Sequence, residues 1–376
     1  MTTPTPQTGH SRIPGVDVLR GLAVLLVLLH HIHLRFEFND YDLDGWLPHA
    51  LNQVFWWSGY QAVIAFFVIS GFLITRISIS RWGPLGHIHI RNFYALRVAR
   101  IVPCLLLLLV ILSALHLVGA PNFTIPPDRA SLGRALLAAL TFHVNYLEGH
   151  HGYLPGGWDI LWSLSIEETF YLLFPLICAA VRSERLLVAP LLCLIVVGPI
   201  SRTLLAARDP WADYAYLSCT DGIAFGCLAA LACARLRIPA WVSRVALIAG
   251  AAGALFVLIM RETAARIGLT DLGLHISVLE LSVALMLVAF GAGVGNRAAS
   301  FGTGWLRRIG HHSYEIYLFH MIVVLGLMNL LLRTRTTSHT LPAWFTAMLL
   351  LSVGLGELVA RRYSEPLNRR LRSRYV

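Results

Sequence analysis

Residues 15–33 read GVDVLRGLAVLLVLLHHIH, and this stretch decides the fold class. A helix needs about 20 mostly apolar residues to cross a bilayer, and this segment meets that requirement. Similar blocks recur as far as residue 360, and over the whole chain 57% of residues are hydrophobic and only 13% are charged. A soluble domain carries roughly twice that charged fraction. The sequence therefore predicts one all-α integral membrane domain, residues 14–360.

Ten segments have the length and hydropathy of membrane spans. They lie at 14–33, 53–75, 101–119, 159–181, 186–206, 217–234, 241–260, 274–294, 310–332 and 341–360. A further apolar stretch, RALLAALTFHVNYL (134–147), is short and contains Thr141, His143 and Asn145. We expect it to be re-entrant or interfacial, because irregular segments are tolerated at membrane depth where they line a cavity.

The distribution of arginine predicts the orientation. The formal net charge is +10, and the chain contains no lysine. Arginines crowd the connection 76–100 and the segment 361–376, whereas the connection 34–52 is acidic, so the positive-inside rule places both termini in the cytoplasm. Residues 1–13 are then a disordered cytoplasmic tail and 361–376 a basic cytoplasmic tail. Because the positive charge follows the connections between spans, it does not indicate nucleic-acid binding.

Ionisable residues inside the spans are the first candidates for function, because charges are costly in a membrane. Arg20 and His31 are eleven residues apart in the first span. Eleven steps of about 100° end close to three full turns, so both residues lie on one helix face with a rise of about 16 Å between them. Asp17 can pair with Arg20 on that face. The alternative is that Asp17 and Arg20 snorkel at the inner interface while His31 sits at the outer one.

Several motifs in order along the chain resemble the acyltransferase 3 family of bacterial membrane O-acyltransferases. They are LRGLAVLLVLLHH (19–31), FFVISGFLIT (66–75), RVARIVP (97–103), WSLSIEETFYLLFP (162–175), GHHSYEIYLFH (310–320) and SEP (364–366). The resemblance implies a bacterial inner-membrane enzyme with a cytoplasmic acyl-CoA donor, usually acetyl-CoA. It also implies that Arg20 and His31 are the essential pair.

The roles within this pair follow from their chemistry. Histidine titrates near neutrality, which suits a general base that removes the proton of an acceptor hydroxyl. We expect His31 to be this base and Arg20 to orient the donor or stabilise developing negative charge. An acyl-histidine intermediate is a variant of the same hypothesis.

Other polar residues extend the candidate site. Glu167 matches the family glutamate, shares a helix face with Ser163 and Tyr171, and could hold the tautomer of His31 or bind a sugar hydroxyl. The remaining candidates for a substrate cavity are Asp17, Ser70, Asp221, Ser313, Tyr317 and His320. The last three share a broad helix face and could equally serve packing. Asp221, inside an apolar run, needs a basic residue or a serine as partner. Glu280 and Glu357 are intramembrane acids without an evident role.

Arg97 and Arg100, together with Arg91, are candidates for the phosphates of coenzyme A, since arginine suits bidentate phosphate contacts. Simple positive-inside anchoring is the alternative for all three. No cluster of ligands at metal spacing stands out, so we predict no metal.

The acceptor follows less directly from the sequence. Tryptophans and tyrosines on the predicted outer side suit the faces of sugar rings, although an interfacial aromatic belt gives the same pattern. We expect the partners to be the lipid bilayer, acyl-CoA and a glycan hydroxyl, as in an exopolysaccharide, an O-antigen or a lipid-linked sugar. The alternatives are a secondary metabolite such as a macrolide or, in a different class, a transporter or flippase.

Overall fold

The computed structural model describes residues 12–334 and 338–373, so most of the predicted N-terminal tail, residues 1–11, lies outside the described part. The described chain is almost entirely helical and contains no β-strand. In chain order the helices are α1 (Pro14–Glu37), α2 (His49–Phe55), α3 (Gly59–Trp82), α4 (Ile90–Leu117), α5 (Leu132–Leu140), α6 (Val144–His151), α7 (Gly156–Asp159), α8 (Leu161–Val181), α9 (Glu184–Leu205), α10 (Trp211–Tyr214), α11 (Tyr216–Arg235), α12 (Ala240–Ile259), α13 (Arg261–Arg266), α14 (Leu274–Gly291), α15 (Gly304–His311), α16 (Ser313–Arg333), α17 (Leu341–Val359) and α18 (Glu365–Arg372).

The predicted number of spans is confirmed. Within the described residues, ten helical stretches are long and apolar enough to cross a membrane, and they make the chain a multi-pass membrane protein. The segment 134–147 is not one of them. It forms the two short helices α5 and α6, which are separated by a break in which Phe142 has a φ of 57°. Helices of 9 and 8 residues are too short to span a bilayer.

Several predicted boundaries were wrong, mostly where charged residues continue a helix. The third span starts at Ile90 instead of 101, so Arg91, Arg97 and Arg100 are helical. The second starts at Gly59 instead of 53, after the separate helix α2. The last continues beyond 360 through a π-helical turn, Ala360–Ser364, into α18. The predicted span 310–332 is divided at His312, where α15 ends and α16 begins.

Close packing between the helices determines where a cavity can form. Helix α1 packs on α3, α15 and α16, and α3 packs in turn on α11. At the α3–α11 crossing a side chain at Gly71 would collide with the carbonyl oxygen of Ile223, and one at Gly226 with that of Val68. Glycine is therefore required at both positions. With α3 held against α11, a space remains on its other side, toward α1, α4 and α8.

Candidate active site

A cavity of about 560 Å³ lies between α1, α3, α4, α8, α16 and α18. It extends to the end of the bundle where α3 and α18 finish, at Trp82 and Arg372, and we call this end the basic end. The remote end of the bundle is the opposite end. The lining includes nine of the residues predicted from the sequence, namely Arg20, Ser70, Arg97, Arg100, Ser163, Glu167, Tyr171, Ser313 and Tyr317.

Helix α16 contacts both members of the predicted Arg20–His31 pair. The guanidinium of Arg20 donates from Nη2 to Oγ of Ser313 over 3.0 Å. The ring of His31 lies beside that of His320, with 3.3 Å between Nδ1 of His31 and Nε2 of His320. Arg20 and His31 thus face the same neighbour, in agreement with the common helix face that their spacing predicts. His31 and His320 lie outside the cavity lining, behind Tyr317, whose ring centroid is 5.9 Å from that of His320.

The hydrogen bonds of the two histidines define their tautomers. Nδ1 of His31 is 2.9 Å from the carbonyl oxygen of Val27, and Nδ1 of His320 is 2.6 Å from that of Tyr317. A carbonyl oxygen can only accept, so each Nδ1 carries the proton. Nε2 of His320 is then an acceptor for the Nδ1 proton of His31. In neutral His31 the free lone pair therefore belongs to Nε2, the atom that a general base requires.

Glu167 belongs to a hydrogen-bonded cluster on the cavity wall. The hydroxyl of Tyr171 donates to Oε1 of Glu167 over 2.7 Å, and Ser70 bonds to both groups. The contact between Glu167 and His31 that was considered from the sequence is not found among the described residues. The carbonyl of Val27 orients the ring of His31 instead.

Nearby, Ser163 and Tyr317 form a second polar pair, with 2.7 Å between their hydroxyl oxygens. Both residues line the cavity, at the side where Tyr317 adjoins His320. Together with the Glu167 cluster they give the cavity a wall of hydroxyl and carboxylate groups.

The predicted phosphate-binding arginines differ in their surroundings. Arg97 pairs with Glu168 at 3.1 Å, and its guanidinium lies 3.8 Å from the ring centroid of Tyr171. Arg100 pairs with the buried Glu315 at 3.1 Å. Arg91 is exposed at the start of α4 and lies outside the cavity lining. Two members of the predicted set are thus already paired with acids, and the third is at the surface.

Two predicted cavity residues lie elsewhere. Asp17 is not part of the lining, and Arg20 bonds to Ser313 instead of forming a close ion pair with it. Asp221 is fully buried away from the cavity and pairs with Arg202 of α9 at 2.8 Å. The basic partner expected for Asp221 is therefore present. Glu280, the unassigned acid, adjoins Asp221.

Sequence reasoning missed part of the basic end. The additional polar lining comes from Arg12, Ser78, Arg81, Glu168, His311, Tyr314, Glu365, Asn368, Arg369 and Arg372. The arginines had been counted only as topology signals, and the segment after 360 as a tail. The motif SEP (364–366), which supplies Glu365, was the available signal that this segment belongs to the site.

His311, His312 and Glu365 place three potential ligand atoms within 4.8 Å of one another. Burial, reinforced by the positive charge of Arg12, lowers the pKa of His311 to about 4, so this ring is neutral near pH 7. Nη2 of Arg12 lies 3.1 Å from Nε2 of His311 and competes with any cation for that atom. No step of the chemistry below uses this cluster.

Comparison with known proteins identifies the family. The sequence profile of an acyltransferase domain, that of the acyltransferase 3 family, matches residues 13–361. The chain belongs to the acyltransferase 3 family. Its ten membrane-spanning stretches form the acyltransferase domain, and the cavity lies inside it.

Two proteins similar to this chain are named O-acetyltransferases. O-acetyltransferase OatA of Staphylococcus aureus (strain NCTC 8325) is 29% identical over 166 residues, which cover 44% of this chain and 24% of OatA. A second protein of Staphylococcus aureus (strain COL), provisionally named an O-acetyltransferase, is 30% identical over 175 residues with the same coverage, 44% and 24%. The match therefore spans about a quarter of the length of these relatives. No match was found among solved structures.

Proposed function

We propose that this acyltransferase is an O-acetyltransferase that moves an acetyl group from acetyl-CoA to a hydroxyl group of a glycan. The observation that carries the proposal is the arrangement along α16. An arginine-lined cavity leads from the basic end to Arg20, which bonds to Ser313 of α16. Farther along α16, His320 contacts His31 of α1, whose Nε2 is free. The positive-inside rule makes the basic end cytoplasmic, which is where acyl-CoA is available.

In the proposed reaction His31 acts as the general base. Its Nε2 takes the proton of the acceptor hydroxyl, and the oxygen attacks the thioester carbonyl. The carbon–sulfur bond breaks, and the departing thiolate takes the proton from His31, giving the acetyl ester and free CoA. Proton transfer of this kind typically contributes about 10²–10⁴-fold to the rate.

The geometry favours donor orientation over charge stabilisation as the role of Arg20. Long side chains on a helix point back toward its N-terminus, and for α1 that is the basic end. The bond from Arg20 to Ser313, the first residue of α16, fits this direction. Arg20 and His31 are also about 16 Å apart along the helix. Arg20 therefore meets the donor before the thioester reaches His31.

The relatives' name supports acetyl transfer to an oxygen atom, and the opposite end of the bundle supports a glycan as the acceptor. Partly exposed rings and polar groups, among them Trp57, Tyr153 and Asp159, lie at that end, near the end of α1 that carries His31. Aromatic faces and carboxylates are the groups that hold sugar rings and their hydroxyls.

Release of free thiol from acetyl-CoA by the purified protein in nanodiscs tests the proposal, with glycan extracts as acceptor. The wild type should release thiol in step with acetyl-ester formation, and His31→Ala should lose about 10²-fold or more of this activity. His339→Ala, which changes an exposed histidine at the opposite end, is the matched control and should keep full activity. Wild-type activity in the His31→Ala protein would refute the role of His31. A well-folded wild type that neither binds nor cleaves acetyl-CoA would refute the function and favour transport.

A further inference from the structure

Seven arginines line the cavity, and the described residues show close partners for five of them: acids for Arg97, Arg100 and Arg369, His311 for Arg12 and Ser313 for Arg20. The other two are Arg81 at the end of α3 and Arg372 at the end of α18. Neither forms an ion pair with an acid in the described part of the chain, and Nε of Arg81 is buried without a hydrogen-bond partner. The segments outside the description, 1–11, 335–337 and 374–376, contain no aspartate or glutamate that could neutralise them.

Three of the other arginines that line the cavity are already paired with acids. Arg97 pairs with Glu168, and Arg100 with Glu315. Arg369 pairs with Glu365 at 2.9 Å. The positive charges of Arg81 and Arg100 lie close enough to Arg372 to repel its guanidinium. Guanidinium groups that lie close enough to repel each other, with no acid paired to either of them among the described residues, offer a binding site for an anion.

The position of these two arginines fits the charged end of a CoA thioester. Arg81 and Ser70 are eleven residues apart on α3, which is a rise of about 16 Å. Both line the same cavity, Arg81 near its mouth and Ser70 beside Glu167. An anion held at Arg81 and Arg372 therefore leaves the depth of the cavity for an extended, uncharged arm.

We propose that Arg81 and Arg372 bind the phosphate groups of the 3′-phosphoadenosine end of the donor, from one helix end on each side of the cavity mouth. This inference rests on the proposed function, because it takes CoA as the donor. It also changes the assignment made from the sequence. Arg97 and Arg100 form part of the cavity wall through their ion pairs with acids. The phosphates are bound instead by Arg81 and Arg372. Because α18 supplies one of the two arginines, the segment after 360 is part of the donor site.

Binding of adenosine 3′,5′-bisphosphate, measured by calorimetry on the purified protein, tests the site without requiring turnover. Arg81→Gln and Arg372→Gln should each raise the dissociation constant by about 10-fold, the loss expected for charge-assisted hydrogen bonds. Arg370→Gln, which changes an exposed residue of α18 outside the lining, is the matched control and should bind as the wild type does. Wild-type affinity in both test variants would overturn the proposal.

Two further comparisons make the result specific. The same variants should raise KM for acetyl-CoA about 10-fold and leave KM for acetyl-pantetheine, which lacks phosphate, unchanged. A wild type that binds the bisphosphate but transfers no acetyl group would refute the proposed function and leave the phosphate site unaffected.

The affinity for the bisphosphate should be similar in phosphatidylcholine and phosphatidylglycerol nanodiscs. If phosphatidylglycerol abolished binding, the arginines would belong to a lipid-headgroup site and the proposal would fail.

If the glutamine variants unfold, Arg81→Lys and Arg372→Lys retain the charge and provide the second test. They should fold and keep part of the affinity, because lysine binds phosphate as a point charge without the bidentate geometry. The proposal would also be contradicted if both lysine variants bound adenosine 3′,5′-bisphosphate with wild-type affinity and this affinity did not depend on the salt concentration.

Discussion

Arg20 and Arg202 are both arginines within membrane-spanning helices, yet their environments are opposite. All five N–H groups of Arg202 donate within the protein, to Gly273, Ser218, Asp221 and Ser277. In the described residues, the hydrogen bond found for Arg20 is the single one to Ser313, and its remaining donors face a cavity. The difference teaches that an intramembrane charge indicates function only when its bonding capacity is left open. Arg202 connects α9, α11 and α14, whereas Arg20 has donors available for a substrate.

The largest expected effect lies on the Arg20 side of this comparison, at His31. His31→Gln keeps a polar side chain of similar size but removes the basic Nε2. Acetyl transfer should therefore fall by about 10²–10⁴-fold, with little change in thermal unfolding. Initial rates of thiol release and a melting curve in the same detergent measure both quantities. A comparable loss of stability would mean that His31 is structural, and the contrast with Arg202 would then fail.

On the Arg202 side, the expected effect is on stability. Arg202→Met leaves the carboxylate of Asp221 buried without its partner, which should destabilise the fold by about 3–5 kcal/mol. Thermal or denaturant unfolding in detergent measures the change. The double variant Arg202→Met/Asp221→Leu removes both charges and should recover much of the loss. If the single variant instead unfolds like the wild type but loses its activity, Arg202 has a functional role that its closed network does not predict.

The same substitution at Arg20 should lower the activity and leave the stability nearly unchanged. Arg20→Met removes charged donors that face the donor path, so kcat/KM for acetyl-CoA should fall by about 10–100-fold. Unfolding should change by no more than about 1 kcal/mol, because one hydrogen bond is lost and a charge leaves the membrane. Steady-state kinetics and an unfolding curve of the same variant measure the two effects. Equal destabilisation by the Arg20 and Arg202 substitutions would contradict the comparison.

The smallest expected effect is a change in the pH dependence of stability, at a buried acid for which the described residues show no arginine partner. Glu148, between the spans at the opposite end, accepts a hydrogen bond from the backbone N–H of Leu154 at 3.0 Å. Burial, followed by the negative charge of Asp159, raises the pKa of Glu148 well above its ordinary value of 4.5. A raised pKa stabilises the fold fully below the ordinary value, and this contribution is lost as the pH rises through the folded-state pKa.

Glu148→Gln should remove this pH-dependent contribution. Between about pH 5 and pH 8 the wild type should lose stability relative to the variant as the pH increases. The difference between the two melting temperatures, followed over this range, is the measurement. A constant difference would show that Glu148 has the same pKa in the folded and unfolded states.

The regular parts of the molecule could be predicted from the sequence. The helical period fixes which residues share a face, so the common neighbour of Arg20 and His31 followed from their spacing alone. Hydropathy likewise gave the number of spans, and the short length and polar residues of the apolar stretch 134–147 excluded it. The family motifs indicated nine of the polar residues that line the cavity, because those residues stand out against apolar surroundings.

Contacts between distant segments could not be predicted. Nothing local indicates that Arg202 would pair with Asp221, since either helix could rotate to present another face. Charged residues also led to wrong predictions of where helices begin and end. Arg97 and Arg100 were assigned to a connection because charges are costly in a membrane, but their acidic partners and the cavity remove that cost. For the same reason Arg372 was assigned to a tail and not to the site.

The glycine contacts between α3 and α11 have a mechanical consequence. Where two backbones touch at Gly71 and Gly226, no side chain lies between them that could change rotamer and let one helix slide on the other. This wall of the cavity should therefore move as a stiff unit. The mouth must widen on the side of α18, which is joined to α17 by a π-helical turn and presents a mostly charged, partly exposed surface. If a bulky donor enters at this mouth, we expect it to displace the C-terminal helix α18 against a fixed frame.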